Sequence, residues 1–135
     1  MRPPRMRVAL FGRSLAGISL ANAMERAGHT VEMLNDPAEL GSFQALILAV
    51  GEARLDAAVE LVQDHVHKGL IAFHTCLSRG VQGLDPLETH GCIVAAVAPM
   101  AGGRWAVSTL DELGENIADF VVSEFRGQAV PLSDA

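Results

Sequence analysis

Basic and aromatic residues are scarce in this 135-residue chain. Ten lysines and arginines stand against 16 aspartates and glutamates, which gives a formal charge of −6 at pH 7. Affinity for the phosphate backbone of nucleic acids depends on arranged lysines and arginines. Aromatic residues make up only 4% of the chain, and tyrosine is absent. We therefore expect neither a nucleic-acid partner nor a carbohydrate-binding surface.

Cysteines and long apolar runs are also few. The two cysteines, Cys76 and Cys92, lie in apolar surroundings without the spacing of a metal site or a disulfide framework. No stretch approaches the roughly 20 apolar residues of a membrane span, and the run at residues 8–11 is too short for the core of a signal peptide. These absences predict a cytoplasmic protein with reduced thiols, no metal and no membrane partner.

Half of the residues are hydrophobic, which is enough for one compact domain over residues 1–135. Short continuous apolar runs alternate with stretches in which apolar residues recur every three or four positions. This alternation predicts an α/β, Rossmann-like, doubly wound and mainly parallel sheet with helices on both faces. Strands are expected at residues 8–11, 31–34, 45–50, 70–73, 92–98 and, at the edge, 129–132; helices are expected at 15–27, 54–65 and 111–125.

The connection between the second and third predicted strands is short. Residues 35–44 cannot hold the helix, strand and second helix that a full six-strand Rossmann sheet has there, so one strand is expected to be lost. The connection is close to the minimum for a crossover between parallel strands. The predicted strand order is 2-1-3-4-5, which puts a ligand site at the switch point above the first strand.

A glycine-containing turn follows the first predicted strand. Gly12 and Gly17 occupy the first and third positions of the pattern G-x-G-x-x-G, and Ser14 replaces the second glycine. The glycines of this pattern allow a tight turn, close approach to a pyrophosphate and close packing of helix on strand. Ser14 hinders the approach but adds a hydroxyl beside the free N–H groups of the helix. The predicted pyrophosphate site is Gly12, Arg13, Ser14, Leu15, Ala16 and Gly17, with a plain strand-to-helix turn as the alternative.

Asn35 and Asp36 follow the second predicted strand, about 20 positions after the loop. In dinucleotide sites an acid at this place binds the adenosine ribose and repels the 2′-phosphate of NADP. Asp36 therefore favours NAD over NADP. Because Pro37 follows, Asp36 is equally well interpreted as the cap of the next turn.

With these residues, the chain resembles the N-terminal domain of the 6-phosphogluconate dehydrogenase-like superfamily of oxidoreductases. The likeness extends over nearly the whole chain and includes the glycine loop and the run Ala27-Gly28-His29-Thr30-Val31. It implies that Val50 and Gly51, at the end of the third strand, border the cofactor; Gly51 replaces a usual proline. Members of the superfamily also carry a C-terminal helical domain, which we expect to be absent from this chain.

One segment resembles prephenate dehydrogenases more narrowly. Ala98-Pro99-Met100-Ala101-Gly102 is similar to their His-Pro-Met-Ala-Gly motif, but Ala98 replaces the histidine that helps to remove a substrate proton. An alanine side chain cannot accept a proton. The predicted substrate contacts are Pro99 of this motif and His74 and Thr75 at the end of the fourth predicted strand, where open α/β sheets bind ligands.

The sequence therefore predicts a dinucleotide-binding domain of an oxidoreductase, with NAD as the favoured cofactor. A homodimer is one of the assemblies that the sequence allows. Two alternatives stand beside it. The first is an interaction or nucleotide-binding module that kept the fold and lost hydride transfer, as Ser14 and Ala98 allow. The second is a loop that accepts coenzyme A or a deazaflavin, since a helix N-terminus binds phosphate without selecting the base.

Overall fold

We describe the computed structural model of the chain over residues 5–132. One seven-stranded sheet runs through the molecule in the order β2-β1-β3-β4-β5-β6-β7. The strands are β1 Arg7–Gly12, β2 Thr30–Met33, β3 Ala45–Ala49, β4 Ile71–His74, β5 Ile93–Pro99, β6 Arg104–Thr109 and β7 Gln128–Pro131, and the α-helices are α1 Leu15–Arg26, α2 Leu55–Val62, α3 Asp85–Glu88 and α4 Glu112–Glu124.

The first five strands are mutually parallel and follow the predicted order 2-1-3-4-5. Between β2 and β3 the chain forms only a short 3₁₀ helix, Pro37–Ser42, whose Leu40 is fully buried. This compact connection carries the chain across β1. The α/β, Rossmann-like architecture is therefore confirmed, and the switch point lies between β1 and β3.

Strand β6 was not predicted from the sequence. It pairs antiparallel with β5 through a tight hairpin whose tip contains Gly102 and Gly103, both with positive φ. Strand β7 then runs parallel to β6, so the expected edge strand is present one position earlier than predicted. A hairpin partner of this kind is set by pairing with its neighbour, and residues 104–109 alone have only three consecutive apolar residues, at 105–107.

Helices cover both faces of the sheet, as predicted. On one face, Leu20 and Met24 of α1 pack with Val121 of α4 against the strands. On the other face, Leu55 of α2 and Leu87 of α3 belong to a second cluster of buried side chains. Within residues 5–132, none of the helices has the length and apolar character needed to span a membrane.

Candidate functional site

The glycine loop lies directly against the end of β3. Gly12 has a φ of 99°, and a Cβ atom there would lie 2.9 Å from the carbonyl carbon of Ala49. At Gly17, on the first turn of α1, a Cβ atom would lie 2.6 Å from the Cα of Ala49. The N–H of Ser14 donates to the carbonyl oxygen of Ala49 at 2.9 Å. Both glycines are therefore required by close packing, and Ala49 is a contact that sequence reasoning missed.

Ser14 takes a backbone conformation that any residue can adopt, with φ −61° and ψ 147°. Its Oγ accepts the N–H of Gly17 at 3.2 Å, so the hydroxyl caps the start of α1. Within the described part of the chain, the N–H groups of Leu15 and Ala16 have no acceptor. The serine thus stabilises the turn and leaves two N–H groups free for a ligand.

The start of α1 differs electrostatically from the starts of the other α-helices. The first turn of α1 contains no acidic residue, whereas α2, α3 and α4 each have at least one there. An acid in the first turn neutralises the positive end of the helix dipole. At α1 that positive end is uncompensated, as it is where helices bind anionic groups.

A cleft of about 520 Å³ opens beside the loop at the switch point between β1 and β3. Val50 and Gly51 line it together with Gly12, Arg13 and Ser14 of the loop. Arg13 and Arg54 are exposed cations of the lining, and Glu52 is its acid; sequence reasoning missed Glu52 and Arg54. The lining consists of Gly12, Arg13, Ser14, Ala49, Val50, Gly51, Glu52, Ala53 and Arg54.

Asn35 and Asp36 are exposed just beyond β2, whose last residue, Met33, pairs with Leu10 of β1. The Asp36 carboxylate accepts the N–H of Ala38 at 3.0 Å and caps the 3₁₀ helix. Asp36 therefore caps the turn that follows it, as one of its two interpretations predicts. It uses one carboxylate oxygen, which leaves the second available to a ribose hydroxyl.

The His74 side chain is completely buried at the end of β4. Its Nδ1 accepts the N–H of Cys76 at 2.9 Å, and its Nε2 donates to the carbonyl oxygen of Gly80 at 2.6 Å. A carbonyl accepts only from a protonated nitrogen, so the ring is the neutral Nε2–H tautomer. Burial lowers the pKa of His74, and the Gly80 carbonyl opposes this shift only in part. The imidazole thus fixes the loop that follows β4.

Because the pKa of His74 is lowered from its ordinary value of 6.5, the unfolded chain binds this proton more readily than the folded chain does. The stability contributed by His74 is therefore complete above about pH 6.5 and is lost as the pH falls below it. We expect the urea midpoint to drop between about pH 7 and pH 5.5, and His74→Asn to reduce that pH dependence. The exposed His65 supplies the control, and an equal reduction by His65→Asn would contradict this assignment.

Thr75 follows the carboxyl end of β4, and Pro99 is the last residue of the neighbouring strand β5. Thr75 is buried, whereas Pro99 is exposed beside the hairpin tip. Ala98 is buried in β5 and pairs with Ala106. The segment similar to the prephenate dehydrogenase motif thus forms the end of β5 and part of the hairpin tip, and the position of the motif's histidine carries a buried methyl group.

Comparison with known proteins finds similar structures but no similar sequences. No protein-family model matches the sequence, and no curated protein matches it. Among solved structures, 3-hydroxyisobutyrate dehydrogenase of Mycobacterium tuberculosis superposes with a TM-score of 0.76 at 13% identity, over 95% of this chain and 54% of its own. The N-terminal domain of HmdIII from Methanocaldococcus jannaschii gives 0.75 at 11% identity, over 94% and 99%. An imine reductase from Aspergillus terreus gives 0.69 at 16% identity, over 98% and 56%.

This chain therefore spans about half the length of the dehydrogenase and of the imine reductase, and nearly all of the HmdIII domain. At such low identity the likeness establishes the fold. This chain has the Rossmann-like fold that these three structures share with it.

Proposed function

We propose that this chain is the NAD(P)-binding domain of an oxidoreductase and that it binds the cofactor pyrophosphate on the loop Gly12–Gly17. The observation that carries the proposal is the start of α1, where the N–H groups of Leu15 and Ala16 have no acceptor in residues 5–132 and no acid offsets the helix dipole. The neighbouring cleft, at the switch point, is where open α/β sheets bind ligands. The imine reductase of the same fold was solved in complex with NADPH4.

In this proposal the adenosine ribose lies beside Asn35 and Asp36, and Val50 and Gly51 border the cofactor on the β3 side. The Asp36 carboxylate repels a 2′-phosphate, so NAD is preferred over NADP. The substrate lies on the far side of Val50 and Gly51, near Thr75 and Pro99. The loop after β4, which His74 holds in place, lies beside the substrate. The homodimer and the cytoplasmic location stay predictions.

Titration of NADH, followed by its fluorescence, tests the proposal with a variant chosen to spare the fold. Leu15 is 86% exposed in the first turn of α1. Leu15→Glu places an acid where it favours the helix but repels a pyrophosphate. We expect saturable binding to the unmodified chain below about 1 mM and binding weakened about tenfold or more by Leu15→Glu.

Leu61 on α2, which is 58% exposed, provides the matched control, because Leu61→Glu adds the same charge away from the cleft. Absence of saturation up to about 1 mM NADH would overturn the proposal. Equal weakening by both variants would instead show a general charge effect. Native mass spectrometry of the purified chain would reveal coenzyme A or a deazaflavin if the loop holds another nucleotide.

A further inference from the structure

Helix α4 presents an apolar row to solvent. Leu113, Ile117 and Phe120 recur at four- and three-residue spacing, which puts them on one side of the helix. Leu113 is 55% exposed and Phe120 is 48% exposed. The neighbouring side of α4 packs on the sheet through Ala118 and Val121, and Ile117 borders that contact. Leu113 and Phe120 take no part in that core cluster, and the row has the spacing of helix-in-groove contacts.

An apolar groove of about 360 Å³ runs beside this row. Its far wall includes Met6, just before β1, and Ile71, the first residue of β4. These residues lie at the amino ends of the parallel strands, whereas the proposed cofactor cleft lies at the carboxyl ends. The groove and the cleft are thus at opposite ends of the parallel strands.

The two ionisable side chains of the groove, His29 and Glu124, are paired with each other. The Nε2 atom of His29 lies 2.9 Å from Glu124, and Nδ1 accepts the N–H of Met6 at 3.0 Å. Both ring nitrogens are therefore occupied, and His29 is buried. A groove with a paired histidine and mainly apolar walls favours an inserted apolar side chain over a polar ligand.

The charge on α4 is of one sign. The helix contains Glu112, Glu115, Asp119 and Glu124 and no lysine or arginine. Over residues 5–132, only Glu124 among these four is in a salt bridge. At 100° per residue, Glu112 and Asp119 lie along the same flank of the apolar row. A helix that packs along α4 meets unpaired carboxylates on that flank.

We propose that the α4 row and its groove bind a helix of a partner protein that carries an apolar row with lysines or arginines along one flank. Complementary charge on that flank orients the partner, and the apolar side chains supply the buried contact. A second copy of this chain fits less well. In a two-fold antiparallel pair of α4 helices, the acidic flanks fall on the same side of the interface, where like charges repel.

The test uses a fluorescein-labelled synthetic helical peptide of about 18 residues, with leucines along one face and lysines along one flank. We expect saturable binding with a dissociation constant near 10 µM at low salt, measured by fluorescence anisotropy. The double variant Leu113→Ser, Phe120→Ser should weaken binding about tenfold or more, and so should Asp119→Lys. Both changes are at exposed positions, and Trp105 fluorescence reports whether the fold is retained.

The matched controls lie on α2: Leu61→Ser for the apolar row and Glu60→Lys for the acidic flank, and both should leave the affinity unchanged. Failure of the peptide to bind at about 100 µM would overturn the proposal, as would equal loss in the control variants. Self-association that Phe120→Ser abolishes would identify a second copy as the occupant. Binding to phosphatidylcholine vesicles that the same change abolishes would identify a membrane.

Discussion

Replacement of Gly12 by alanine is expected to lower the free energy of unfolding by about 4 kcal/mol, the sum of a forbidden backbone conformation and a steric overlap. The φ of 99° is strained for any side chain, and the added Cβ atom would collide with the backbone of Ala49. That backbone belongs to a central buried strand and cannot withdraw. Urea denaturation followed by the fluorescence of Trp105, the single tryptophan, measures the loss.

Gly51 provides the control, because it also lines the cleft but has φ −72° and an open space where a Cβ atom would be. Gly51→Ala should change stability by no more than about 0.5 kcal/mol. Equal effects at Gly12 and Gly51 would show that the loop rearranges around the new side chain. The contact between the loop and β3 would then not set the site.

Discrimination against NADPH is the second large effect that we expect. In the proposed complex, Asp36 faces the adenosine ribose, so NADH should bind about tenfold more tightly than NADPH. Asp36→Asn removes the charge but keeps an oxygen that can accept the N–H of Ala38. The variant should therefore narrow the ratio of the two dissociation constants while leaving the turn folded. Parallel fluorescence titrations of the two cofactors measure that ratio.

Glu60→Gln on α2 removes a charge of the same sign away from the cleft and should leave the ratio unchanged. Equal affinity of the unmodified chain for NADH and NADPH would remove Asp36 from the ribose site. If Asp36→Asn leaves the ratio of the NADH and NADPH dissociation constants unchanged, the Asp36 carboxylate only caps the turn.

Local patterns accounted for the parallel part of the sheet. Strands β1, β3 and β5 are buried on both faces, so their sequences are continuously apolar and are recognisable in isolation. Strand β6 gives no such signal. Its burial comes from pairing with β5 and from packing against α4, and residues 104–109 alone specify neither contact. Helix α2 is shorter than predicted because its periodic pattern continues past Val62 into a turn.

The candidate site also has parts that local sequence patterns predicted and parts that they did not. Its glycine loop was predictable because a tight turn, a small-residue helix start and a following strand lie within one short stretch of chain. The roles of its other residues were not. Ser14 caps α1, Asp36 caps the next turn and His74 joins two points of its own loop; each of these roles depends on which atoms come within hydrogen-bonding distance.

The sequence by itself determined that the chain folds around a parallel sheet with a glycine turn after its first strand, because apolar periodicity and glycine spacing are local properties. Only the tertiary structure decided that Ala49 requires Gly12 and Gly17, that a cleft opens beside the start of α1, and that Leu113 and Phe120 of α4 stay exposed beside a groove. Those features depend on how strands and helices that are distant in the chain pack together, and no single segment of the sequence specifies that packing.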